Sequence, residues 1–150
     1  MSVDLMSAIE QEVVIRAPRS RVWKALTTPS ELGTWFRCTL NAQDLRVGEA
    51  VNGVSTYPGH EGTAFTLEIV EKVPEQRFAW RWHPGHADVG DPPTTVTFTL
   101  EDVAGGTRVR LLESGFDRIS LARRAKAFAG NNEGWKLQMK NLYDYAQQNS

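Results

Sequence analysis

Residues 131–148 read NNEGWKLQMKNLYDYAQQ. Trp135, Met139, Leu142 and Ala146 recur every three or four positions, with Gln138 and Tyr145 on the margins of the stripe. That spacing predicts an amphipathic helix with one apolar face. From Asn131 to Gln148 it would run about 27 Å at ~1.5 Å per residue. One apolar stripe needs one cover, so the rest of the chain is read for a matching surface. Just upstream, SLARRAKAF (120–128) sets Leu121, Ala125 and Phe128 on a stripe of its own, and Gly130 is expected to interrupt the two. Arg118, Arg123, Arg124 and Lys126 read as the solvated side of that upstream segment.

The cover lies between Arg37 and Glu113. TAFTLEIVEK (63–72) alternates Phe65, Leu67 and Ile69 with polar residues, and RFAWRW (77–82) alternates Phe78, Trp80 and Trp82. TTVTFTLE (94–101) repeats the pattern with Val96, Phe98 and Leu100, and TRVRLLE (107–113) with Val109 and Leu111 against Arg108 and Arg110. Period-two alternation predicts antiparallel strands with one buried and one wet face. Pro74-Glu75-Gln76, Pro84-Gly85 and Ala104-Gly105-Gly106 supply the turns. Between Cys38 and Pro58, Val47, Val51 and Val54 suggest one or two shorter strands. IEQEVVIRAP (9–18) reads as a further strand with Gln11, Val13 and Ile15 on one side. Pro18 and Ser20 then introduce a short helix, RVWKAL, ended by Thr28-Pro29. Ser30 is placed to cap a second, SELGTWF, presenting Leu32, Trp35 and Phe36. The fold class is therefore α+β: a strand, two short helices, a run of antiparallel strands, and a long C-terminal helix gripped by the sheet. Without repeats or a linker, residues 1–150 are expected to form a single domain.

The chain has 150 residues, 41% hydrophobic and 23% charged, with 17 basic against 18 acidic side chains. A net charge of −1 gives no broad attraction to nucleic acid or to an anionic membrane. No uncharged apolar stretch is long enough to span a bilayer. The N-terminal MSVDLMSAIEQEV lacks the basic start and apolar block of a secretory signal. With one cysteine, Cys38, an internal disulfide is excluded and a cytoplasmic location is expected.

Several stretches together resemble the START-like (SRPBCC) superfamily with its helix-grip fold. They are APRSRVWKALTTPSELGTWF, the strand run ending in WRWHP, GFD, and NNEGWKLQMKNLYDY. The opening P-x-x-x-V-W-x-A-L, the pair Trp35-Phe36, and Glu133-Gly134-Trp135 with Leu142 behind it are most similar to the activator of heat-shock-protein-90 ATPase homologue-1-like family, from about Glu12 onward. The resemblance implies about seven antiparallel strands wrapped around the C-terminal helix and a cavity between them. It also implies binding of a small hydrophobic molecule, as in many superfamily members, or cyclase chemistry, as in a few. The co-chaperone that gives the family its name carries a second, N-terminal domain for which this chain has no room.

Site chemistry is sparse. His83-Pro-Gly-His86 with Asp88 and Asp91 has no familiar metal-ligand spacing, and the turn would point the two rings apart; it reads as a solvated loop, and His60-Glu61 as another. No metal or other cofactor is expected. Neither a nucleophile elbow nor a phosphate-cradling loop is present, Cys38 has no histidine nearby in sequence, and no catalytic residue is assigned. Glu68, Glu71, Arg81, Arg108 and Arg110 fall on the polar side of the alternation and should face water. The aromatic inner face carries the leading expectation, a ligand cavity walled by Trp35, Phe36, Phe65, Trp80, Trp82, Phe98, Trp135, Met139 and Tyr143. The alternatives are a polyketide-cyclase or aromatase-like enzyme, with His83, Glu68 or Arg81 as the polar group in the cavity, and a chaperone-interacting domain.

Overall fold

The computed structural model of the chain describes residues 7–148 apart from Val89. The segment Met1 to Met6, expected above to hold no secretory signal, lies outside them. Seven strands form: β1 (Ala8–Ile15), β2 (Cys38–Leu40), β3 (Ala50–Ser55), β4 (Ala64–Val73), β5 (Arg77–Trp82), β6 (Thr94–Val103) and β7 (Gly106–Ser114). They make one antiparallel sheet in the order β1-β7-β6-β5-β4-β3-β2. Helices α1 (Arg19–Thr27) and α2 (Pro29–Phe36) connect β1 to β2, and α3 (Leu121–Gln148) closes the chain. This is the helix-grip arrangement that the alternation and the C-terminal stripe imply. Among the described residues no helix is long and apolar enough to cross a membrane.

Parity sorts the sheet as anticipated. Phe78, Trp80, Val96, Phe98, Val109 and Leu111 are buried toward α3. On the outer face Arg81 pairs with Glu68 at 2.9 Å directly across β4 and β5. Arg108 and Arg110 join Glu101 and Glu12 there, at 2.8 Å for Arg108–Glu101 and 3.2 Å for Arg110–Glu12. These solvated pairs sit in register across neighbouring strands and favour that register over a slip.

Three local expectations are corrected. The C-terminal helix is a single element of 28 residues, not one that begins at Asn131. Gly130 lowers helix propensity by about 1 kcal/mol relative to Ala, too little to break a helix held at both ends by tertiary contacts. Leu121 and Ala125 do not form a buried stripe: Leu121 is 77% exposed, and the segment buries Ala127 and packs Phe128 edge-on against Phe116 at 5.4 Å. Ser30 does not cap α2; Thr28 takes that place with Pro29 as first helical residue, a position where a missing N–H costs nothing.

The loop after β5 is stapled to the start of α3. Both carboxylate oxygens of Asp91 accept from the Arg123 guanidinium at 2.8 Å, and the backbone N–H groups of Asp88 and Ser120 donate to the same carboxylate. Arg118 and Arg124 donate to backbone carbonyls of Pro93, Asp117 and Ile119. Three of the four residues read as a free basic face thus hold the loop and the helix start in place. Arg123 above all, then the Asp88 amide, holds the Asp91 carboxyl well below the usual carboxylate range. A carboxyl with a depressed folded-state pKa stabilises above its unfolded value near ~4, and that contribution fades as pH falls through the folded value. Asp91→Asn is therefore expected to lower the denaturation midpoint at neutral pH, and the gap from wild type to narrow steadily below about pH 4, measured by urea titrations across pH.

Candidate functional site

Trp80 stands at the middle of the inner face and touches five other rings. Phe36, Phe78, Trp82, Phe98 and Trp135 all lie within 5.4–6.4 Å of it, centroid to centroid, mostly edge-to-face or tilted. Such pairs add to the apolar burial that aromatic residues bring to a core. Sequence reading missed what lies beside them. Glu113, at the end of β7, is 0% exposed and carries no ion-pair partner among the described residues. Its carboxylate accepts from Trp135 Nε1 at 2.7 Å, Trp82 Nε1 at 2.9 Å, Thr94 Oγ1 at 2.6 Å, and Asn131 Nδ2 at 2.8 and 3.0 Å. A carboxylate can accept about four such bonds, so neutral donors fill its capacity. The signal was available: Glu113 is in phase with Val109 and Leu111, so parity turns it inward.

Trp82 has a second role. Beyond the Glu113 contact it borders an open-mouthed cavity of about 430 Å³ between the sheet and α3. The sheet side is Phe65, Ser55 and Trp82, and α2 ends there with Phe36, Arg37 and Cys38. The loop after β3 adds Tyr57 and His60, and α3 contributes Gly130, Glu133, Gly134, Leu137 and Gln138. Small local devices shape this space. The Phe65 ring lies flat across its cross-strand partner Gly53, where an added Cβ would come within 2.5 Å of the ring. A Cβ on Gly134 would meet nothing within 4 Å. Gln138 Nε2 donates to the Phe36 carbonyl at 2.7 Å and fixes the end of α2 against α3. A wider hollow of about 620 Å³ lies on the outer sheet face, but Glu10, Glu12 and Arg110 border it and no ring does.

Of the nine residues expected as cavity wall, Phe36, Phe65 and Trp82 line this space. Trp80, Phe98, Trp135 and Met139 do not; they are buried and fill the region deeper between sheet and helix. Trp35 is turned the other way, donating Nε1 to the Ala25 carbonyl at 2.9 Å, and Tyr143 packs half-buried further along α3. Large rings in contact leave no space among them, so the cavity lies toward the end of the groove where Gly134 stands in place of a side chain. Glu68 and Arg81 pair on the far face of the sheet, and His83 is exposed with Nε2 3.0 Å from the Asp91 carbonyl, so none of the three reaches the cavity. His60, read as a plain loop residue, does. Cys38 also borders the cavity, but burial pushes its thiol up to about 11. Among the described residues no three of His, Cys, Asp and Glu converge as metal ligands.

Residues 16–147 match the family described as Activator of Hsp90 ATPase homolog 1-like protein. Curated protein sequences give no significant match. Among solved structures, protein MLL2253 from Mesorhizobium loti is similar with TM-score 0.77 and 23% identity, over 95% of this chain and 98% of that one. The Aha1 dimer from Colwellia psychrerythraea superposes with TM-score 0.73 at 21% identity, covering 93% of this chain and 96% of the other. DynU16, from the dynemicin biosynthetic locus, matches with TM-score 0.72 at 22% identity over 96% of this chain and 48% of its own.

Two expectations follow from the site. Glu113→Gln must turn its amide N–H₂ toward one of two indole N–H groups, Trp82 or Trp135, which can only donate, and should destabilise the fold by roughly 1–3 kcal/mol in urea unfolding. Cys38 should react far more slowly with an aromatic disulfide reagent at about pH 8 than an ordinary thiol near ~8.5, and at the normal rate once unfolded.

Proposed function

Because the chain belongs to the activator of Hsp90 ATPase homolog 1-like family, we propose that it binds a small hydrophobic or aromatic molecule in the cavity between the β3–β5 end of the sheet and α3. Members of this family typically bind hydrophobic ligands. The observation that carries the reading for this chain is Gly134. A glycine inside a helix costs about 1 kcal/mol relative to Ala, yet a Cβ on Gly134 would point into open space on the helix face that borders the cavity, whereas one on Gly130, a turn earlier, would meet the His86 ring at 3.4 Å. A core-filling helix would gain by placing a side chain at Gly134; a helix that leaves space for a guest would not. The walls supply the rings Phe36, Phe65, Trp82 and Tyr57, and ligand sites of about 300–1,000 Å³ with mostly apolar walls are typical.

The same proposal treats the protein as one cytoplasmic domain, where its single cysteine stays a thiol. A cyclase-like role is the second reading, but the polar side chains expected to serve it, Glu68, Arg81 and His83, lie outside the cavity. Glu113 is inside the protein, yet its lone pairs are occupied and it does not border the space.

The neutral fluorophore N-phenyl-1-naphthylamine tests the reading, since its emission rises in apolar surroundings. Wild type and Gly134→Ala should both enhance it at one site per chain, with quenching of Trp82. Gly134→Phe, whose ring would occupy the cavity, should abolish the enhancement while remaining folded by circular dichroism. No enhancement with wild type, or equal enhancement with Gly134→Phe, would overturn the proposal.

A further inference from the structure

Among the described residues, Arg37 is the arginine that borders the cavity, and its setting is unusual. Arg37 is the residue at which α2 ends, with φ of 65° and ψ of 66°. Helices commonly end in this left-handed conformation, but with glycine there; a side chain at this φ costs about 1–2 kcal/mol. The backbone is held from both sides: the Arg37 N–H donates to the Gly33 carbonyl, and its carbonyl accepts from Thr56 N–H at 2.9 Å. Strain that the surroundings enforce is a reason to ask what the side chain does.

The side chain is exposed, and its guanidinium carbon stands 5.7 Å from the centre of the Tyr57 ring, which itself borders the cavity. Among the described residues Arg37 has no carboxylate partner. That contrasts with the arginines of the outer sheet face, which pair with Glu68, Glu101 and Glu12, and with Arg21, Arg19 and Arg123, which each hold an acid. The other charged wall residue, Glu133, is taken by Lys136 Nζ at 3.2 Å. His60 lies 6.4 Å ring to ring from Tyr57 on the same side and adds an imidazole N–H. A planar guanidinium with unused donors, stacked on a ring at the rim of an apolar chamber, matches a carboxylate attached to an apolar body.

We infer that the ligand of this cavity is an amphipathic organic anion, a carboxylic acid with an aromatic or aliphatic body. Its body lies against Phe36, Phe65, Trp82 and Leu137, and its carboxylate meets the Arg37 guanidinium beside Tyr57. The inference rests on the cavity being a binding site and adds the class of molecule and the group that selects it.

The test uses 1-naphthaleneacetate and its neutral amide as competitors for N-phenyl-1-naphthylamine bound to the full chain at about pH 7, where the acid is ionised. The acid is expected to displace the fluorophore at a concentration about tenfold or more below that of the amide, the span of a charge-assisted hydrogen bond. Arg37→Asn, chosen because asparagine tolerates positive φ, should erase that preference, read as the ratio of the acid and amide concentrations that displace half of the fluorophore. Arg37→Lys should restore part of it. Equal competition by acid and amide, weaker competition by the acid, or a preference that survives Arg37→Asn overturns the assignment while the fluorophore still reports a working cavity. Failure of the fluorophore itself to bind removes the cavity reading and this one with it.

Discussion

A carboxylate buried without a cation is the constraint around which this protein is arranged. An ionised group taken out of water must find its full complement of hydrogen-bond donors or be strongly destabilising. Glu113 finds them on three separate elements: Trp82 at the end of β5, Thr94 at the start of β6, and Asn131 with Trp135 one turn apart on α3. The donors are specific to one placement of the helix. Sliding α3 by a residue, or rotating it, would remove Trp135 and Asn131 from the carboxylate together. The aromatic cluster fills the space between sheet and helix, but rings in mutual contact tolerate small displacements that five hydrogen bonds to two oxygens do not. Apolar packing brings sheet and helix together, and Glu113 selects among the ways of packing them.

The cavity follows from that fixed frame. With Trp82 tethered through its indole N–H, one edge of the ring is committed to the core and the rest is left to border the open end of the groove. Gly53 lets Phe65 lie flat on β3 instead of standing up from the sheet, and Gly134 withholds a side chain from the opposite wall. Arg37 closes the frame at the end of α2 in a conformation that the Gly33 and Thr56 contacts impose. Every device here is local and small, and each acts by absence of bulk or by fixing an orientation.

That is also why the fold was more legible in the sequence than the site. Alternation of Phe78-Trp80-Trp82 and Val96-Phe98-Leu100 marks buried strand faces, and Trp135-Met139-Leu142-Ala146 marks the gripped helix. These are repeated patterns, and burial follows them. The extent of α3 was not legible, because a glycine signals a break on propensity alone and only tertiary contacts outweigh it. The site was less legible still. Hydrophobicity marks Trp80 and Trp82 alike, yet one is filled in on all sides and the other borders space, a difference made by neighbours far away in the chain. Tyr57 and His60 come from a loop without periodicity. Glu113 was readable by parity from Val109 and Leu111, but its position at a strand end allowed it to pass for the solvated terminus of the strand.

The division of labour between β7 and α3 has a consequence for how such a protein can diversify. Foldedness resides in the ring cluster and the buried carboxylate, whereas chamber dimensions depend on a helix position, Gly134, that neither of them uses. A lineage can therefore resize what it accommodates by a single replacement at Gly134 without renegotiating its core. Selectivity and stability are inherited on separate residues, which lets one scaffold serve many guests at little risk to its own integrity.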